Sequence, residues 1–193
     1  GAYAIQNRIV TKEDFIAATY GMPSNFGAIK KVNVAQDSDT FKQRNINMYV
    51  LSADANDKLA TASITIKNNL KTWISRYRMI NDTIDILDGR IINLGIVFKF
   101  AAFSNVDKYT ALEIAKNDLQ DFFVNRRGYD IGEPFSITDI FAVLKNSSAV
   151  LDVIDVSVSV KTGGLYSTTS FNVGENTSSD NRKIFIPPDS CFE

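Results

Sequence analysis

Most acid–base and nucleophilic chemistry in proteins is built from His, Cys or paired carboxylates, and this chain nearly lacks the first two. Its 193 residues include no His and one Cys, Cys191. No Ser-His or Cys-His nucleophile pair can form, and the commonest metal ligand is missing. A lone thiol closes no intrachain disulfide and builds no cysteine-cluster zinc site, so Cys191 reads as a spectator. Carboxylates remain. Asp82, Asp85 and Asp88 recur every third residue. A Ca²⁺ ion needs several oxygens converging on one point, and this segment lacks both the calcium-loop spacing and its distal Glu. In a strand, residues three apart point to opposite faces, which favours a solvated turn over a weak cation site. Asp152 with Asp155, and Glu113 with Asp118 and Asp121, offer acid–base pairs only if two carboxylates face each other across a cleft. Nothing in the sequence places them so, and Asp118 and Asp121 fall on the polar face of an amphipathic helix.

Anion and nucleic-acid chemistry fare no better. Neither G-x-G-x-x-G nor G-x-x-x-x-G-K-[ST] occurs, which leaves Gly21 and Gly27 as loop punctuation. Lys161-Thr162-Gly163 matches a triplet of penicillin-recognising serine enzymes. The chain has no S-x-x-K, however, and Ser179-Asp180-Asn181 follows the triplet instead of preceding it, so a strand-ending turn is the better explanation. Lys71, Arg76 and Arg78 interleave with Trp73 and Tyr77 like a stacking platform, yet the rings sit on the inward stripe of a helix, where core packing is favoured. With 21 basic and 22 acidic side chains, the chain has no general attraction for nucleic acid or anionic membrane. No apolar run approaches the ~20 residues that span a bilayer, and the reading is of a soluble chain. Surface scaling gives roughly 9,000 Å² accessible when folded against roughly 31,000 Å² unfolded, enough burial for a proper core.

The elements that would position these residues are legible from caps and periodicity. Thr11 with Asp14 forms a capping box ahead of Phe15, Ile16 and Thr19, predicting a short helix that ends at Gly21 and Pro23. Val32 and Val34, then Ile46, Met48 and Val50, alternate with polar residues and predict two antiparallel strands around a polar loop near 36–44. Ile66, Leu70, Trp73, Ile74 and Tyr77 make one helical stripe. Asp88-Gly89 predicts a tight hairpin between a strand at 83–87 and the apolar run from Arg90 to Phe103, whose length and apolarity mark a central strand. Asp107 opens a helix closed by Arg126, Arg127 and Gly128, and Ser136 with Asp139 caps another that ends near Asn146. Val156, Val158 and Val160 then alternate with Ser157, Ser159 and Lys161, the pattern of a strand with one wet face. From Thr162 the chain turns rich in Gly, Ser, Thr and Asn.

The expected fold class is therefore α+β. A helix-strand-strand-helix-strand unit spans 1–89 and a β-α-α-β unit spans 90–160, packed together. An extended Gly/Ser/Asn-rich arm spans 161–193. Tyr166, Phe171, Ile184 and Phe185, isolated apolar residues in that arm, are the candidate partner contacts.

Arg8-Ile9-Val10-Thr11-Lys12-Glu13-Asp14-Phe15 resembles the R-x-V-T-x-x-D-[YF] signature that opens the middle region of phage baseplate J-type proteins. The order of elements, the S-x-[TS]-D-[IL] start at Ser136 and the V-x-x-V-x-D-V strand from Val150 to Val156 extend the likeness over about residues 7–160. Within that family the Asn/Ser/Asp-rich texture and the arm are similar to the large baseplate wedge subunits of T4-type contractile-tailed phages. Those proteins carry several hundred further residues before the signature, so the chain resembles a C-terminal part. The short J-type proteins have no counterpart of the arm.

The resemblance implies a structural, non-enzymatic late protein of the virion, assembled in the host cytoplasm. It would be a homodimer that joins other wedge proteins in a ring around the tail hub. No cofactor, metal, nucleic acid, membrane or small-molecule substrate is implied. The competing reading is a fragment of a carboxylate-based hydrolase domain using Asp82, Asp85 or Asp152.

Overall fold

A computed structural model describes residues 11–36, 45–77 and 83–193. They form an α+β fold that divides into two compact units. One holds the described residues up to Arg90 with Asp130–Gly132 and Pro188–Ser190. The other holds Ile91–Tyr129, Glu133–Pro187 and Cys191–Glu193.

In the first unit, helix α1 (Lys12–Tyr20) starts where its capping box predicts. Thr11 Oγ1 accepts the Asp14 N–H at 3.2 Å and Asp14 Oδ2 accepts the Thr11 N–H at 3.0 Å. Strands β1 (Lys31–Gln36) and β2 (Asn45–Ala53) pair antiparallel, Val32 opposite Val50 and Val34 opposite Met48. The expected polar loop between them lies mostly outside the described residues. A two-residue strand β3 (Leu59–Ala60) folds back on the end of β2. Helix α2 (Ile64–Ser75) is capped by Ser63 and buries Leu70 and Ile74 completely against the sheet strands. Each such side chain contributes about 1.5–3 kcal/mol.

The predicted Asp88-Gly89 hairpin is not formed. Strand β4 (Thr83–Asp88) instead lies parallel to β2, Ile84 opposite Ile46 and Ile86 opposite Met48, with α2 supplying the long crossover that parallel neighbours require. Gly89 is not among the residues with positive φ. Its N–H extends the ladder to Val50 O at 3.0 Å. Close approach, not turn geometry, is what demands glycine there, since a Cβ would sit 2.9 Å from Leu51 Cγ.

The second unit is built on β5 (Arg90–Ala102), the middle strand of a sheet ordered β7-β5-β9. Ile92, Leu94, Ile96, Phe98 and Phe100 all contribute to its core, as the period of two requires. Helix α3 (Lys108–Arg126) is capped by Asp107 and closed by Arg127 and Gly128, both at positive φ. A short strand β6 (Phe135–Ser136) leads into helix α4 (Ile137–Asn146), where Ser136 Oγ accepts the Asp139 N–H and Ile140 and Leu144 are fully buried. Strand β7 (Val150–Lys161) returns antiparallel to β5, with Val156, Val158 and Val160 opposite Phe98, Ile96 and Leu94. This is the expected β-α-α-β order with the two-residue β6 added between the helices.

The stretch after Lys161 is largely extended, but it does not stay outside the core as the sequence predicts. After a single turn of helix, α5 (Val173–Asn176), strand β8 (Lys183–Ile184) pairs with β6 and strand β9 (Ser190–Phe192) lies beside β5. Glu193 N–H donates to Ile92 O and Leu94 N–H donates to Glu193 O, the parallel pattern. Ile184, Cys191 and Phe192 are buried. Strands of two or three residues carry no readable period, and their partners stand 47 to 101 positions away in sequence, which is why composition alone suggests an arm.

Candidate functional site

The carboxylates singled out for chemistry have structural partners or stand apart in solvent. Asp82 lies outside the described residues. Asp85 Oδ2 accepts from Asn45 Nδ2 at 3.0 Å, and Asp88 pairs with Lys67 at 2.9 Å. Asp152 and Asp155 are exposed on β7, and Glu113 pairs at 3.7 Å with Lys116 on the surface of α3. Among the described residues no three His, Cys, Asp or Glu side chains gather to hold a metal ion. No described helix is long and apolar enough to cross a membrane.

Lys161-Thr162-Gly163 ends β7 and enters a turn, with Gly163 and Gly164 at positive φ and Tyr166 N–H donating to Gly163 O. Ser179-Asp180-Asn181 forms another turn. There the Ser178 hydroxyl and the Arg182 backbone N–H hold the Asp180 carboxyl below its usual range. Trp73 Nε1 donates to Ala18 O at 2.8 Å, its ring meets Tyr77 edge-on at 5.5 Å, and Arg76 lies over it. These rings are committed to packing. Arg78 is outside the described residues.

The four candidate partner contacts separate. Tyr166 and Phe185 are each 51% exposed. Phe171 is half-buried and meets Phe192 edge-on at 5.6 Å. Ile184 has no exposed surface and packs in the second unit's core, which leaves it no surface for a partner to touch.

Two polar arrangements in the second unit carry no short sequence motif. Buried Asn93 accepts the Ser167 N–H on Oδ1 at 2.8 Å and donates through Nδ2 to Glu193 Oε1 at 3.2 Å, tying two parts of the tail to β5. A lone amide inside an apolar strand is the signal that could have found it. Arg126 forms an ion pair with Glu133 and lies 3.7 Å over the Tyr129 ring. The Tyr129 hydroxyl is buried without a hydrogen-bond partner in the described structure. Burial pushes its pKa up to about 12, Glu133 and Asp139 add to the rise, and Arg126 opposes it. It is a neutral phenol, without the paired base that catalysis would need.

What the second unit does present is an exposed ribbon. Val97 on β5 and Leu151 and Ile154 on β7 are about 60% exposed, and Leu165 in the turn after β7 is fully exposed. Ile154 and Leu151 are the extra residues at two irregularities in the β5–β7 register, between Lys99 and Phe100 and between Ala101 and Ala102. Such bulges re-aim side chains outward.

No protein-family model and no curated protein matches the sequence. Among solved structures, the fold is similar to that of a chain in the cryo-EM structure of the anti-feeding prophage (AFP) baseplate, six-fold symmetrised. The TM-score is 0.61 at 14% sequence identity, over 98% of this chain and 38% of that one. At this identity the shared feature is the fold, and this chain spans well under half the length of its neighbour.

Proposed function

We propose that this chain is a structural part of a phage-type contractile-tail baseplate. In this reading it is the C-terminal part of a J-type large wedge subunit, self-associating and joining other wedge proteins in a ring around the hub. It resides in the virion after assembly in the host cytoplasm, and it has no catalytic turnover. The fold shared with an anti-feeding prophage baseplate chain over nearly the whole length carries the proposal. The exposed apolar residues Leu151, Ile154, Leu165, Tyr166 and Phe185 support it, since each is surface that a neighbour can cover. The hydrolase alternative has weaker support, because Asp85 is already engaged by Asn45 and Asp152 stands exposed on β7.

Antibodies raised against the chain, gold-labelled and applied to isolated tails, test the reading by electron microscopy. Label confined to the baseplate end is the expected result. Label along the tube or on the capsid, or none on tails whose subunits are accessible, contradicts it.

A further inference from the structure

We propose that β7 pairs edge to edge and antiparallel with β7 of a second copy of this chain, about a two-fold axis at Val158. The argument starts from hydrogen bonds. Strand β7 is twelve residues long and stands at the end of its sheet, so one side of its backbone is bonded to β5 and the other has no strand partner among the described residues. An unpaired edge of that length is a template for another strand. Proteins that keep an edge solitary shorten it, bulge it or place charge along it. Here the register irregularities lie at Ile154 and Leu151, and pairing with β5 is regular from Asp155 to Lys161.

The regular segment is complementary to itself. Run antiparallel about Val158, Asp155 of each copy faces Lys161 of the other and Ser157 faces Ser159. On the inner face Val156 meets Val160 and Val158 meets Val158. Opposite charge, hydroxyl with hydroxyl and β-branched with β-branched are the favourable cross-strand pairs. A shift by two residues would face Asp155 with Ser159 or with Gly163, losing both charge pairs. Asp155 and Lys161 make no ion pair among the described residues, and both are exposed. The Lys161 side chain lies over Gly95 of β5, so in the paired dimer it turns from there toward the outer edge to meet Asp155 of the second copy.

The same register carries exposed Leu151 and Ile154 of one copy toward the Gly163-Gly164-Leu165 turn of the other, twice over by symmetry. An isologous interface requires this kind of reciprocity.

The pairing deepens the self-association in the proposed function but stands on the strand itself. A chain that self-pairs yet never labels tails would uphold it and sink the baseplate reading.

Sedimentation equilibrium on the chain, with charge reversals, tests it. The unaltered chain should dimerise, and added salt should weaken the dimer. Asp155→Lys and Lys161→Asp should each raise the dimer dissociation constant about tenfold, since each creates two like-charge pairs. The double variant should return to within about threefold of the starting value. A chain monomeric at high micromolar concentration, or a dimer indifferent to these reversals, overturns the proposal.

Because Asp155 also faces Lys99 across the sheet, a reversal that disturbs folding is backed by cross-linking. Mixed Ser157→Cys and Ser159→Cys chains should oxidise to a covalent dimer, while either chain alone should not. Equal yields in all three samples, or none, contradict the register.

Discussion

The two larger sheets finish their edges in different ways. Leaving aside the two-residue strand β3, the first ends on β1 and β4, six residues each, whereas the second ends on β9, three residues, and β7, twelve. Three polar groups on the first sheet's edges are occupied within the unit. Lys31 pairs with Asp130, Asn33 donates to Pro188 O at 2.8 Å, and Asp88 pairs with Lys67. Just past β9, Glu193 is held by Asn93. Along β7 the charges Asp152, Asp155 and Lys161 have no ion-pair partner among the described residues. Polar side chains on the first three edges are thus bonded within the chain, whereas the charges along the longest edge have no ion-pair partner among the described residues. An edge that folding alone required would be expected to resemble the other three.

The largest blow to this contrast is to loosen an edge that the core needs. Phe192→Ala removes a fully buried ring on β9 and should cost about 3–5 kcal/mol, read as a lower urea midpoint with an unchanged slope. Phe185→Ala, half-exposed in the same tail, should stay within about 0.5 kcal/mol. Equal losses would mean that the tail is not divided into anchor and surface.

Asn93→Ala comes next. It strands the Ser167 N–H and removes the hydrogen bond to Glu193 Oε1, so about 1–3 kcal/mol should be lost, with faster hydrogen exchange at Ser167. Unchanged exchange there would show that the amide does not hold the tail.

The smallest effect concerns Tyr129. Its pKa rises on folding from 10.0 to about 12, so the folded state favours the neutral phenol. The associated stability is complete below pH 10 and is lost as pH climbs through about 12. Tyr129→Phe should leave neutral-pH stability equal or slightly higher, because the hydroxyl has no partner in the described structure, and should reduce the alkaline loss. A variant that unfolds along the same alkaline curve would contradict this.

These contrasts follow the line between what the sequence disclosed and what it did not. Thr11, Ser136 and Asp107 announced their helices because a cap is a local hydrogen bond, and Val156 to Lys161 announced a strand because a wet face imposes a period of two. Parallel pairing of β4 with β2 was hidden, since Asp88-Gly89 is a strong hairpin signal and the space that demands Gly89 is set by Leu51 and Ile131, far away in sequence. Burial of Ile184 and Phe192 was hidden for the same reason: short strands are defined by distant partners. Of the candidate surface, Tyr166 and Phe185 were legible as apolar residues in polar surroundings. The open side of β7 was not, because an edge becomes visible only once its neighbours are known.

The most direct test is hydrogen exchange followed across a dilution series of the chain. Amides within Asp155 to Lys161 should gain protection as concentration rises, while those of β1 stay constant. No change along β7, or a gain on β1 instead, would contradict the assignment of β7 as the edge kept for another molecule.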